Sequence, residues 1–257
     1  LDALKRKCMA VWISSGGKLL EFAEKLNVPH LRVPSGIPPR AALPYLFLPM
    51  PIILERIGLV SDTIAEVSEV LQIIKKVSRE NSPEKPLSGS VSKTLASNIS
   101  GRVPVVYGFG IYRAVAQRFK QQFNENSKVP SKWEFFPELN HNEVVGWEAA
   151  SELSKHFSVI LFRDRDEPDE IRQRIEATKE LMFRKSVKVF EVWSMGKSRL
   201  AKMLSAICIG DFASIYLAVL RGIDPTPVKT IILLKEKMKR SGIKEKVVRE
   251  LQKFAEK

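Results

Sequence analysis

Cysteine is scarce in this 257-residue chain: only Cys8 and Cys208 are present. They could form one bridge at most, which excludes a disulfide scaffold and fits a reducing compartment, so a cytoplasmic location is expected. Histidine is nearly as rare, at His30, His141 and His156. No His-x-x-x-His or Cys-x-x-Cys spacing offers a zinc site, so chemistry without metal or cofactor is expected. A charged-then-apolar leader is missing, and no apolar run approaches the length of a membrane span. The stretch ALPYLFLPMPIIL, 42–54, is interrupted by three prolines. Secretion and membrane association are therefore not expected.

What the chain has in excess is positive charge, +13 net. Residues 229–257 carry ten Lys or Arg against four Glu, a net +6, and the other 228 residues share only +7. No basic stretch is interleaved with aromatics, and no helix-turn-helix or zinc-finger spacing occurs, so a nucleic-acid partner is not expected. A basic surface equally suits phosphorylated small molecules.

The order of elements predicts an α/β fold. MAVWISS reads as a strand ending at Gly16-Gly17, KLLEFAEKL as a helix and HLRVP as a second strand, an order that suits a parallel sheet. Pro38 and Pro39 should set a turn ahead of a helix with Arg40 near its start. Thr63 and Glu66 have capping-box spacing, and Ile64, Val67, Leu71, Ile74 and Val77 recur at the helical period. From about 80 to 102 the composition turns to Ser, Asn, Pro and Gly, which reads as a linker containing a short helical piece. The pattern then restarts. VPVVYG, SVILFRD and SVKVFEVW are strands, and the segments from Gly108 and from Asp169 are helices. LAKMLSAICIGDFASIYLAVLRG is an apolar helix or helix pair. The tail from Ser241 places Ile243, Val247, Leu251 and Phe254 on one helical face. These shifts divide the chain into a first domain over 1–85, a linker over 86–103, a second domain over 104–220 and a C-terminal helical segment over 221–257.

Most motif matches fail. GFG at 108–110 starts like a dinucleotide fingerprint, but its third glycine is absent; glycines allowing a close helix start explain it better. MGKS at 195–198 contains the end of a phosphate loop, but Glu191 stands where the first glycine is required. One segment is distinctive. In FPELNHNEVVGWE, 136–148, Glu138 and Glu143 bracket His141, which two asparagines flank, in a stretch of weak periodicity. That suggests a loop site, although His141 taken alone fits a satisfied structural histidine better than a catalytic one.

Together with PSGIPPRAALPYLF, FNENSK, GDFASIYLA and RGIDPTPV, this segment resembles the archaeal-type bifunctional phosphoglucose/phosphomannose isomerases of the phosphoglucose isomerase superfamily. The motifs span most of residues 10–238 in family order. The resemblance implies two sugar-isomerase (SIS) domains, three-layered with mainly parallel sheets, the first incomplete, plus a C-terminal helix. It also implies interconversion of glucose 6-phosphate or mannose 6-phosphate with fructose 6-phosphate through a cis-enediol. Glu125 of FNENSK matches the family's base, and partial burial beside Phe123 would strengthen a carboxylate whose ordinary pKa is about 4.3. His141 matches the acid–base histidine that opens the sugar ring together with a lysine, and in the superfamily it arrives from the other subunit of a homodimer. Arg40 matches the arginine that stabilises the enediolate oxygen; a guanidinium stays protonated and donates from a rigid fork. For the lysine, the ILLK context favours Lys235 over Lys229. The family's Ser/Thr-rich phosphate loop has no counterpart here, which implies an N-terminally truncated isomerase that binds substrate poorly. A non-catalytic sugar-phosphate-binding module is the alternative.

Overall fold

A computed structural model describes residues 2–148, 152–182 and 187–255. They form two compact units, one comprising Leu1–Thr63 with Val228–Lys257 and the other Ile64–Pro227. The helix and strand segments expected across 183–186 lie outside the described residues.

The first unit opens with the short helix α1 (Asp2–Lys5), followed by strand β1 (Trp12–Ser14), helix α2 (Gly17–Lys25) and strand β2 (His30–Arg32). The two strands pair in parallel, Ile13 opposite Leu31. Leu20, Phe22 and Ala23 of α2 are buried, the face that a strand–helix–strand crossover must cover. A 3-10 turn over Pro39–Ala41 holds Arg40. The short helices α3 (Leu43–Phe47) and α4 (Pro49–Arg56) follow, each with proline in its first turn, where no amide hydrogen is needed. At the other end of the chain are α11 (Lys229–Lys239) and α12 (Ile243–Ala255). The apolar stripe of α12 is only partly covered: Leu251 and Phe254 are half-buried, while Ile243 and Val247 are exposed.

The second unit is a four-stranded parallel sheet in the order β4-β3-β5-β6, built from β3 (Val103–Phe109), β4 (Lys132–Phe136), β5 (Phe157–Arg163) and β6 (Lys188–Trp193). Its helices are α5 (Thr63–Glu80, whose first residue falls in the other unit), α6 (Val91–Ile99), α7 (Tyr112–Glu125), α8 (Glu143–Glu148), α9 (Asp169–Met182) and α10 (Arg199–Leu220). The step from β3 to β4 runs opposite to that from β5 to β6. Right-handed crossovers therefore put α7 on one face and α9 on the other, which makes three layers. Helix α10 packs on both α6 and α7, while α8 meets α9.

Local differences from the sequence reading have physical causes. Helix α5 buries Val70 and Val77 with Ile73 and Ile74 half-buried, whereas Ile64 and Leu71 are exposed; the buried stripe is rotated by one residue. Glu66 turns its carboxylate to the Leu200 amide, 3.3 Å away. The Ser-rich stretch after Asn81 contributes α6 to the core, with Leu95, Ala96 and Ile99 fully buried. Helix α10 is continuous over 22 residues, apolar and long enough to cross a membrane by length and composition alone. Its Ala206, Ile209, Ala213 and Leu217 nevertheless belong to the buried core. Gly108 sits where a Cβ would lie 2.3 Å from the Tyr112 carbonyl oxygen, so the GFG glycines serve the strand-to-helix turn.

Candidate functional site

Three of the resembling motifs meet at the end of α7. Phe119 and Phe123 bury the inner face of that helix, so its last turn is carried against α10. Glu125 closes the helix, half-buried. The next residue, Asn126, is buried and donates through Nδ2 to the Ser214 hydroxyl at 2.9 Å. The Ser127 hydroxyl donates to the Ser214 carbonyl at 2.6 Å. Lys128, with a left-handed φ of 54°, turns back to donate from Nζ to the Glu125 carbonyl and to the Pro225 carbonyl, the latter at 3.1 Å. FNENSK is thus bonded to GDFASIYLA and to RGIDPTPV. Nearby, Arg118 and Gln122 donate to Asp211 at 2.8 and 2.7 Å. Burial raises the Asp211 carboxyl above the usual carboxylate range, against the pull of Arg118.

His141 follows a 3-10 turn over Glu138–Asn140 after β4, and its ring is on an exposed residue. Its amide donates to the Glu138 carbonyl at 2.9 Å. Asn142 donates to the Glu138 carboxylate at 3.0 Å, and Asn140 donates to the Thr178 hydroxyl at 2.8 Å. The two acids bracketing His141 therefore differ in role. Glu143 is enclosed, accepting from the Tyr107 hydroxyl and from Lys132 Nζ, both at 2.6 Å. Trp147 Nε1 donates to the same Tyr107 oxygen at 3.2 Å. Burial, followed by the Glu143 charge, drives the Tyr107 phenol far above its usual range. This chain of bonds fixes the PELNHNE loop to the sheet.

Glu125 and His141 both belong to the second unit. Arg40 and Lys235 belong to the first, Arg40 half-buried in its 3-10 turn and Lys235 on the exposed surface of α11, as is Lys229. A cavity of about 550 Å³ between α8 and α9 is lined by Asn140, Trp147, Thr178 and Met182 among others, and by none of these four residues. Among the described residues no group of three or more His, Cys, Asp or Glu side chains could hold a metal ion, and Cys8 and Cys208 are unbridged. The MGKS loop is occupied by the chain itself: the Lys197 and Ser198 amides donate to the Glu69 carboxylate at 2.6 and 3.0 Å.

Sequence reasoning missed a second polar centre, at the carboxyl end of β5. Arg163 is buried, donating to Glu167, Glu176 and Glu191 at 2.6 Å each and lying 4.9 Å from the Trp193 ring. Its signal in the sequence was only the acid-rich RDRDEPDE run.

The family model described as "Bacterial phospho-glucose isomerase C-terminal SIS domain" matches residues 89–238. A bifunctional phosphoglucose/phosphomannose isomerase of Caldicellulosiruptor bescii is 37% identical over 238 residues, 92% of this chain and 70% of that protein. One from Aquifex aeolicus is 33% identical over 93% of this chain and 70% of its own length. At the level of fold, a glucose-6-phosphate isomerase from Chlamydia trachomatis superposes with a TM-score of 0.66 at 11% identity, covering 98% of this chain and 57% of that one.

Proposed function

Because the chain belongs to the bifunctional phosphoglucose/phosphomannose isomerase family, we propose that it interconverts glucose 6-phosphate and mannose 6-phosphate with fructose 6-phosphate, with Glu125 as the base. In this reading the chain carries two SIS-type domains, the first represented by the β1–β2 pair and its helices. The observation that carries the proposal is the end of α7. A half-buried carboxylate stands there among fixed backbone and side-chain bonds, on the FNENSK segment joined to two other family motifs.

The reaction moves one proton between adjacent carbons. The Glu125 carboxylate takes the proton from C2 of the open-chain aldose as the C1 carbonyl electrons shift to oxygen, giving the enediolate. The same carboxyl returns the proton to C1 while the proton of the C2 hydroxyl passes to the C1 oxygen, giving the ketose. A carboxylate suits both steps because it is a base when ionised and an acid once loaded. Arg40 serves as the fixed cation for the oxygen that gains charge. His141 and Lys235 open the ring beforehand, His141 being supplied across a homodimer; its exposed place beside a rigidly bonded loop suits that role. The work is proposed to take place in the cytoplasm.

The test is exchange of the C2 hydrogen with solvent deuterium, followed by NMR on the protein as its gene encodes it. Glu125→Gln should abolish exchange while leaving phosphate-ester binding within a few-fold of normal. Exchange at the normal rate in that variant would remove Glu125 from the mechanism. Wild-type binding without exchange would favour a sugar-phosphate-binding module instead.

A further inference from the structure

We propose that Ser214, with Asn126, Ser127 and Lys128, is a positioning residue for the isomerisation, aiming Glu125 through a buried polar clamp between α7 and α10; this rests on the reading of Glu125 as the base. A base that serves two neighbouring carbons in turn tolerates little displacement, and a shift of about 1 Å can cost about 10²-fold in rate. Glu125 is the last residue of its helix, where carbonyls lack intrahelical partners and the chain tends to fray. Something must hold that end still.

The structure holds it from both sides. Asn126, Ser127 and Ser214 are 5%, 0% and 0% exposed, an unusual set of polar side chains to bury where two helices meet. Buried polar groups are costly unless bonded, and when bonded they demand one geometry, which apolar packing does not. Ser214 is the hub. Its hydroxyl donates to the Asp211 carbonyl at 2.7 Å, which turns an oxygen lone pair toward the Asn126 amide. Its own carbonyl accepts from Ser127. The Lys128 ammonium bonds the Glu125 carbonyl itself and ties it to Pro225. On the preceding side, the Asn124 side chain accepts from the Ser131 amide at 3.1 Å. Residues 124, 126, 127 and 128 are each tethered by a side chain, and Glu125 stands between them. A clamp needed only for stability would leave the kinetics of the folded enzyme unchanged.

The experiment compares Ser214→Ala, Ser214→Thr and Lys128→Met in the gene-encoded protein, by steady-state isomerisation of glucose 6-phosphate across pH. Ser214→Ala should lower kcat by about 10- to 100-fold with KM changed less than about twofold. It should also displace the acid limb of the kcat/KM profile. Ser214→Thr, which keeps the hydroxyl, should recover most of kcat. In a Glu125→Asp background Ser214→Ala should add little further loss, because the carboxylate is already out of place. A folded Ser214→Ala enzyme with normal kcat and pH profile overturns the proposal, as does a full multiplicative loss in the Glu125→Asp background. Should Ser214→Ala not fold, Lys128→Met at the partly exposed end of the clamp decides: about a tenfold loss in kcat supports it and an unchanged kcat refutes it. Failure of the underlying base assignment shows separately, as C2 exchange persisting in Glu125→Gln.

Discussion

Gly210 of α10 packs directly against the Phe119 ring of α7, and Gly210→Ala should destabilise the protein although alanine is the better helix former. A Cβ at position 210 would lie 2.2, 2.5 and 2.6 Å from three atoms of the Phe119 ring. Phe119 has little room to move: it is 1% exposed and meets Phe162 edge-on at 4.9 Å and Phe123 at 6.1 Å. Replacing glycine inside a helix gains about 0.8–1 kcal/mol of propensity. Overpacking a full core costs about 1–3 kcal/mol, and contacts this short belong at the upper end. The net loss should be about 1–2 kcal/mol. Three of the four tryptophans, Trp133, Trp147 and Trp193, lie in the second unit, so tryptophan fluorescence in a urea titration reports mainly on it. With a slope of about 2 kcal/mol per molar urea, the midpoint should fall by about 0.5–1 M with the slope unchanged. A midpoint equal to or above that of the native protein would refute the close-packing argument. A functional consequence follows too. Ser214 lies one turn beyond Gly210, so spreading the helices here should lengthen the Asn126–Ser214 bond and lower kcat alongside stability.

Acid should unfold the second unit through its ion-paired and hydrogen-bonded carboxylates. Burial pushes Asp164 upward, but the Asp166 amide, the Tyr112 hydroxyl and Lys202 outweigh it and hold the group below the usual range; Glu191 and Glu176 are lowered as well. A lowered carboxylate contributes stability that is complete above its unfolded pKa of about 4 and is lost as pH falls through the folded value. Asp211, shifted upward, works in the opposite sense, but three groups oppose one. The urea midpoint should therefore be nearly flat from pH 7 to 5 and drop steeply below about pH 4; a midpoint maintained to pH 3 contradicts this. For the dimer, mixing inactive Glu125→Gln subunits with inactive His141→Ala subunits should restore part of the activity, because one mixed site receives both native groups. Mixtures as inactive as their parents would mean that His141 acts within its own chain.

Legibility in the sequence followed the strength of the pattern. The apolar runs that became β3 and β5 are buried along nearly their whole length, and such runs announce themselves. Strand β4 does not, because it is an edge strand whose KWEFF keeps Lys132 exposed and its next three residues half-buried. Helix α8 has only six residues, too few for a period to show. The rotated stripe of α5 shows another limit. Ile64, Val67, Leu71 and Ile74 fit one helical face as well as Val70, Ile73 and Val77 fit the next, and only the tertiary partner chooses. The candidate site residues were named through motif identity, which gives types and order. Their bonding was not legible, since Asn126 and Ser214 are 88 positions apart. Glu143 makes the same point. Sequence proximity set it beside His141, whereas folding gave it to Tyr107 and Lys132.

The place of the chemistry follows from what the sheet does with its own crevice. In an open parallel α/β sheet, ligands ordinarily bind beyond the carboxyl ends of the strands where the order reverses, here between β3 and β5. That position is filled from within. The Tyr112 hydroxyl donates to Asp164 at 2.7 Å, with the Ser194 hydroxyl 2.6 Å from the same phenol oxygen. Lys202 bridges Asp164 and Asp166 at 3.0 and 2.6 Å. The Asp164 and Asp166 amides, which could otherwise receive a phosphate, donate to Glu167 and Asp164. Helix α9 then begins with Asp169 and Glu170, which suit the positive end of a helix and repel an anion. A sugar phosphate would have to displace several bonded carboxylates to enter. With the sheet's own edge closed, the end of α7 is the part of this unit that joins family motifs, a half-buried carboxylate and a fixed backbone, and it is there that we place the proposed proton transfer.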